Sequence, residues 1–104
     1  MNNIFSLIDE IKKRPELYIG SKEITHLYHF INGYIYRDFE YNEDLCSKFK
    51  KFHFWLPKMT GVDDENWKNN LLIFSDFNEV KALNLFFLYF EKYVKYLEGN
   101  NGTD

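Results

Sequence analysis

The sequence predicts one all-α domain over residues 1–104, a compact bundle of about five helices with an aromatic-rich core. Three observations carry this. Apolar residues recur at three- and four-residue spacing in successive segments, and no pair of credible strands competes with them. Aromatic residues make up 20% of the chain, with 11 Phe, 8 Tyr and 2 Trp against the single Ala82, so large rings must fill the interior. No linker, repeat or low-complexity segment divides the chain, and a domain of this size buries roughly two thirds of its unfolded surface.

Ile4, Phe5, Leu7, Ile8 and Ile11 share one face of a first helix, which Arg14-Pro15 stops because proline lacks a donor and restricts the preceding residue. Arg14 to Gly20 reads as a connector. It holds Leu17, Tyr18 and Ile19, and so is expected as a buried elbow, with Arg14 pairing a carboxylate or capping a helix end. Gly20 gives the turn its freedom and Ser21 can cap the next helix. A second helix is expected from Lys22 to Asp38, with Ile24, Leu27, Tyr28, Ile31, Tyr34 and Ile35 in one stripe and Phe30 at its edge. Gly33 costs up to about 1 kcal/mol there relative to Ala; close approach of a ring-bearing helix would offset that.

A third helix is expected from Asn42 or Glu43 to Trp55, with Leu45, Phe49, Phe52 and Leu56 on one face and Pro57 as its stop. Lys58 to Asn66 is then the longest polar loop, and Trp67, Leu71, Leu72 and Phe74 favour a short fourth helix over a buried strand. Asp76 and Glu79 have capping-box spacing. They would open the strongest element, from Phe77 or Asn78 to Leu97, ended by Gly99 with a frayed tail from Asn100 to Asp104. Its stripe of Val80, Leu83, Phe86, Phe87, Phe90, Val94 and Leu97 is widened by Leu85, Leu88, Tyr89 and Tyr93. Such a helix is central, or serves an interface with part of its face.

Net charge is −3, with 13 basic and 16 acidic residues, which argues against a general nucleic-acid binder. The basic and aromatic run from Lys48 to Trp55 is explained by a core face with Phe49 and Phe52 and a solvated face with Lys50 and Lys51. The lone Cys46 excludes an internal disulfide and fits a reducing compartment. Asp9, Glu10, Lys12, Lys13 and Arg14 fall where a signal peptide needs an apolar core, and the longest apolar run, Leu85 to Phe90, is far short of a membrane span. A soluble, cytoplasmic protein is expected.

No constellation for catalysis, cofactor or metal emerges. His26 and His29 are three apart but lack a third and fourth ligand; Cys46 has no local base, and the glycines form no phosphate loop. The chain is therefore expected not to be an enzyme. What remains is two acidic clusters: Asp38, Glu40, Glu43 and Asp44 around Tyr41, and Asp63, Asp64 and Glu65 near Trp67. They read either as ordinary solvated turns or as a negative surface that steers and holds a basic partner.

Lys13-Arg14-Pro15-Glu16-Leu17-Tyr18-Ile19-Gly20 is similar to a segment of the ATPase subunits of type II topoisomerases, but His26 to Gly33 lacks the acidic and Asn-containing motif that comes next in that family, so that reading fails. A second resemblance covers nearly the whole chain. Arg14-Pro15 with Tyr18-Ile19-Gly20, then Ile24, Leu27, Phe30-Ile31, Gly33-Tyr34, Phe54-Trp55-Leu56, Trp67, Leu72-Ile73, Glu79, Ala82 and Phe86-Phe87 resemble small immunity proteins of bacterial contact-dependent growth inhibition and related polymorphic toxin systems. Glu16 departs from the small residue often found there. The resemblance implies a cytoplasmic antidote that binds the C-terminal domain of a toxin delivered by a neighbouring cell, often a basic nuclease, and blocks it. On that reading the partner-binding residues are Asp38, Glu40, Tyr41, Glu43, Asp44, Asp63, Asp64 and Glu65, the carboxylates standing where phosphates would lie. The competing expectation is a helical adaptor or regulatory subunit, with part of the last helix forming a weak homodimer.

Overall fold

The computed structural model describes residues 3–103, with side chains through Gly99. Among the described residues the chain is all helix and turn, without a strand: α1 (Ile4–Lys13), α2 (Pro15–Ile19), α3 (Ile24–Asp38), α4 (Glu43–Lys50), α5 (Phe52–Thr60), α6 (Trp67–Phe74) and α7 (Glu79–Thr103). Helix α7 packs against α3, α5 and α6, while α1 packs against α2, α3 and α4 and also meets α7, with the Phe5 and Phe90 ring centres 5.6 Å apart.

Asn3 and Ser6 start α1 reciprocally. The Asn3 side-chain oxygen accepts the Ser6 N–H at 2.9 Å, and Ser6 Oγ accepts the Asn3 N–H at 3.1 Å. Pro15 does end α1, but it also opens α2, because its ring presets the first helical angle and its missing N–H is not needed there. The expected elbow is thus a short helix, closed by Gly20 at φ +77° with its N–H on the Glu16 carbonyl at 3.1 Å. It is not buried: Leu17 is 70% exposed, and Tyr18 and Ile19 only lean on the core. Arg14 has no carboxylate partner among the described residues and instead closes α1 through its backbone N–H to Ile11.

Helix α3 begins at Ile24, two residues later than expected, with Glu23 rather than Ser21 at the cap position. Gly33 is exposed, and a β-carbon built on it would meet nothing within 4 Å, so no helix approaches it. The expected third helix is two. The N–H groups of Phe54 and Trp55 both bond the Lys51 carbonyl, which restarts the helix there and lets Phe49 and Phe52 both face inward. Pro57 lies inside α5 instead of stopping it; the stop is Gly61 at φ +79°. Helix α6 is helical as expected, with Asn66 Oδ1 accepting the Asn69 N–H at 3.0 Å.

The capping box between Asp76 and Glu79 does not form. Asp76 and Phe77 both hold positive φ, 57° and 61°, whereas an N-cap residue needs extended geometry. Asn78 caps α7 instead, its Oδ1 accepting the Lys81 N–H at 2.9 Å. At the other end α7 continues through Gly99, which does not adopt the left-handed conformation a stop requires.

Helix α7 is central, contributing Ala82, Leu83, Phe86, Phe87, Phe90 and Tyr93 to the core, while Val80 and Leu88 from the expected stripe are about half exposed. Phe52 is the hub: its ring centre lies 5.6 Å from Phe86, 5.5 Å from Phe90 and 5.3 Å from Tyr93, each in edge-to-face geometry. Trp67 closes the cluster 4.7 Å from Phe86. Each such ring contributes about 1.5–3 kcal/mol of burial. Tyr93, the one buried phenol among the described residues, donates its O–H to the Lys48 carbonyl, joining α7 to α4.

Candidate functional site

The turn between α3 and α4 is locked by Asp38. Its carbonyl accepts the N–H groups of Tyr41 and Asn42 at 2.9 Å each, and its carboxylate accepts both contacts from Asn42 Nδ2, at 3.0 and 3.1 Å. Asp38 is therefore half-buried and occupied with holding the turn. Glu43 and Asp44 sit in the first turn of α4, where the helix dipole favours negative charge, and both are exposed with Glu40. Two rings project beside them: Tyr41 is 79% exposed and Tyr36, on the last turn of α3, is 90% exposed. Phe39 lies between, with the Lys50 ammonium 4.8 Å above its ring.

The second cluster sits on the loop between α5 and α6. Buried Asn70 pins that loop: its Nδ2 donates to the Val62 and Asp64 carbonyls at 3.1 and 2.9 Å, and its Oδ1 accepts the Thr60 hydroxyl at 2.9 Å. Asp64 accepts the Asn66 N–H at 2.9 Å and is half-buried, while Asp63 and Glu65 stay exposed. Glu65 edges a cavity of about 330 Å³ whose walls include Tyr28, Asn32, Ile35, Phe49, Lys50 and His53. Trp67 forms part of its base but is 95% buried against Phe86 and Tyr28, so it is a core ring and not a surface anchor.

No hydrogen bond or ion pair joins the two clusters among the described residues. The cavity lies between them: Ile35 is one turn before Asp38, Lys50 reaches over Phe39, and Glu65 stands at the loop side. Two candidates were missed in the sequence, Tyr36 and Phe39. Tyr36 was countable, since it falls about 140° from Ile31 on a helical wheel and so points away from the stripe. The polar cavity wall of Asn32, Lys50 and His53 carried no sequence signal, because it joins two helices distant in the chain.

Elsewhere, His26 and His29 are both exposed, His26 Nδ1 lying 2.6 Å from Ser21 Oγ, and among the described residues no three His, Cys, Asp or Glu side chains converge as metal ligands would. Cys46 is fully buried; burial first, and the Asp38 charge second, push its thiol above the ordinary range. Phe49 and Phe52 face the core while Lys50 and Lys51 face out. No helix among the described residues is long and apolar enough to cross a membrane. Compared with protein-family models, curated proteins and solved structures, the chain has no match.

Proposed function

We propose that the chain is an immunity protein: in the cytoplasm it binds a basic toxin domain, of nuclease type, and covers its active site. The observation that carries this is the α3–α4 corner, where Tyr36 and Tyr41 stand 90% and 79% exposed beside Glu40, Glu43 and Asp44. Tyrosines kept in water by a rigid turn are the rings that anchor protein interfaces, each giving large contact area at small entropic cost. The surrounding carboxylates would steer a basic cleft onto them and stand in for its phosphates. Asp63 and Glu65, across the cavity, extend the same negative field, whereas Asp38 and Asp64 serve mainly to hold their turns. The resemblance to small immunity proteins supports the toxin-blocking class.

The test is co-expression with the C-terminal domain of a toxin, which this reading expects to be encoded directly upstream of this chain's gene. The expected result is restored growth and a stable complex, both lost when Glu40, Glu43 and Asp44 are changed to Lys together with Tyr41→Ala. Full rescue by that variant would remove the corner from the mechanism, and no rescue by the unaltered chain would remove the reading.

A second reading, an adaptor that pairs with another copy or another protein, is supported by the α6–α7 corner. There Ile73, Phe74, Phe77 and Val80 are 42%, 44%, 71% and 47% exposed. This is narrower than the broad α7 face the sequence suggested, because most of that face is core. Sedimentation at several concentrations tests the homodimer: a strict monomer rules it out.

A further inference from the structure

A groove of about 710 Å³ lies between α1 and the α2–α3 pair, separate from the cavity that Glu65 edges. Its walls are the half-buried side chains of Leu7, Tyr18, Phe30 and Tyr34, and the exposed carboxylates of Asp9 and Glu10 stand beside them. Among the described residues no cationic side chain lines it. Lys13 reaches Glu10 at 3.3 Å and Asp9 at 4.0 Å from outside, but all three groups are more than half exposed, so these pairs are weak and exchangeable. The groove between α1 and α7 differs: it is edged by charges of both signs and bridged by Lys12 and Glu91 at 2.9 Å.

Three aromatic rings and two carboxylates line this one groove, a set that suits a planar guanidinium, which stacks on ring faces and pairs carboxylates at its edge. Phe30, Tyr34 and Asp38 succeed one another at four-residue spacing on α3, so the groove leads along one helix face to the α3–α4 corner. We propose that this groove receives an arginine side chain of the basic protein partner, stacked on Tyr18, Phe30 and Tyr34 and paired with Asp9 and Glu10. The inference rests on the reading that the chain binds such a partner and adds a second contact region to it.

The experiment is titration of the isotope-labelled chain with N-acetyl-arginine amide, tracked by amide chemical shifts, with N-acetyl-norleucine amide as the uncharged control. Saturable shifts at Asp9, Glu10, Tyr18, Phe30 and Tyr34 are expected with the arginine probe alone, with binding about fivefold weaker in the Asp9→Asn/Glu10→Gln variant. Shifts that are absent, equal for the norleucine probe, or confined to residues 36–44 overturn the proposal. In co-expression, rescue by the chain without any arginine-probe binding overturns the groove and leaves the antidote reading standing. Probe binding without rescue has the opposite meaning.

Discussion

Glu79, in the first turn of α7, accepts both hydrogen bonds that Thr25 offers from the first turn of α3: the backbone N–H at 3.0 Å and the hydroxyl at 2.6 Å. The residue at the cap position of α3, Glu23, makes no side-chain cap of its own, so α3 is capped by a carboxylate from another helix. Burial raises the Glu79 pKa, but the two bonds from Thr25 and the charges of His26 and Lys68 outweigh it and leave the carboxyl below its ordinary 4.5.

Replacing Glu79 with Ala is expected to cost about 1–2 kcal/mol, the scale of a lost cap and a half-buried donor left unpaired. Because the folded pKa is depressed, this contribution is present above pH 4.5 and fades as pH falls through the folded value. Urea unfolding at a series of pH values should show the gap between the two proteins closing in acid; a gap that stays constant would mean the effect is packing.

Gly33→Ala should stabilise the chain by up to about 1 kcal/mol. The residue is mid-helix, has ordinary helical geometry, and a methyl group there enters open space. A fall in the midpoint of thermal unfolding would contradict the exposed placement.

Phe77 holds φ at +61° with a ring 71% exposed, so it bears left-handed strain with little burial in return. Phe77→Asn, which tolerates that geometry, is expected to raise stability by about 1 kcal/mol. If unfolding shows a loss instead, the ring makes a contact worth more than its strain.

Tyr93 is held neutral, its pKa pushed up to about 12 from an ordinary 10 by burial and then by neighbouring Tyr96. The unfolded phenol ionises first, so the folded state binds more protons between these values and stability falls as pH rises through that window. A tyrosinate titration should therefore show a late, unfolding-coupled ionisation from Tyr93. In Tyr93→Phe that step should vanish, while the unpaired Lys48 carbonyl costs about 1–3 kcal/mol at neutral pH.

Much of the scaffold was readable from residue spacing alone. The stripe Ile24, Leu27, Ile31 and Ile35 is buried as a set, as are Phe86 and Phe90, because helical periodicity places them on one face whatever they meet. The polar and special residues were less readable. Trp67 looked available beside an acidic loop and is core; Gly33 looked packed and is open; Glu79 looked like a local cap and serves a distant helix.

The sequence by itself determined the helical class, the core placement of Phe49, Phe52, Phe86 and Phe90, and the gathering of carboxylates at two turns. These come from contacts three and four residues apart and from charge counting. The tertiary structure decided the rest: that Lys51 splits one expected helix in two, that Asp38 and Asp64 are spent on their turns, and that Tyr36 and Tyr41 stand free beside Glu40, Glu43 and Asp44. A hydrogen-bonding side chain takes whichever partner the fold brings near, and a ring is exposed only if no other element arrives to cover it. Both depend on residues tens of positions away, which spacing along the chain does not encode.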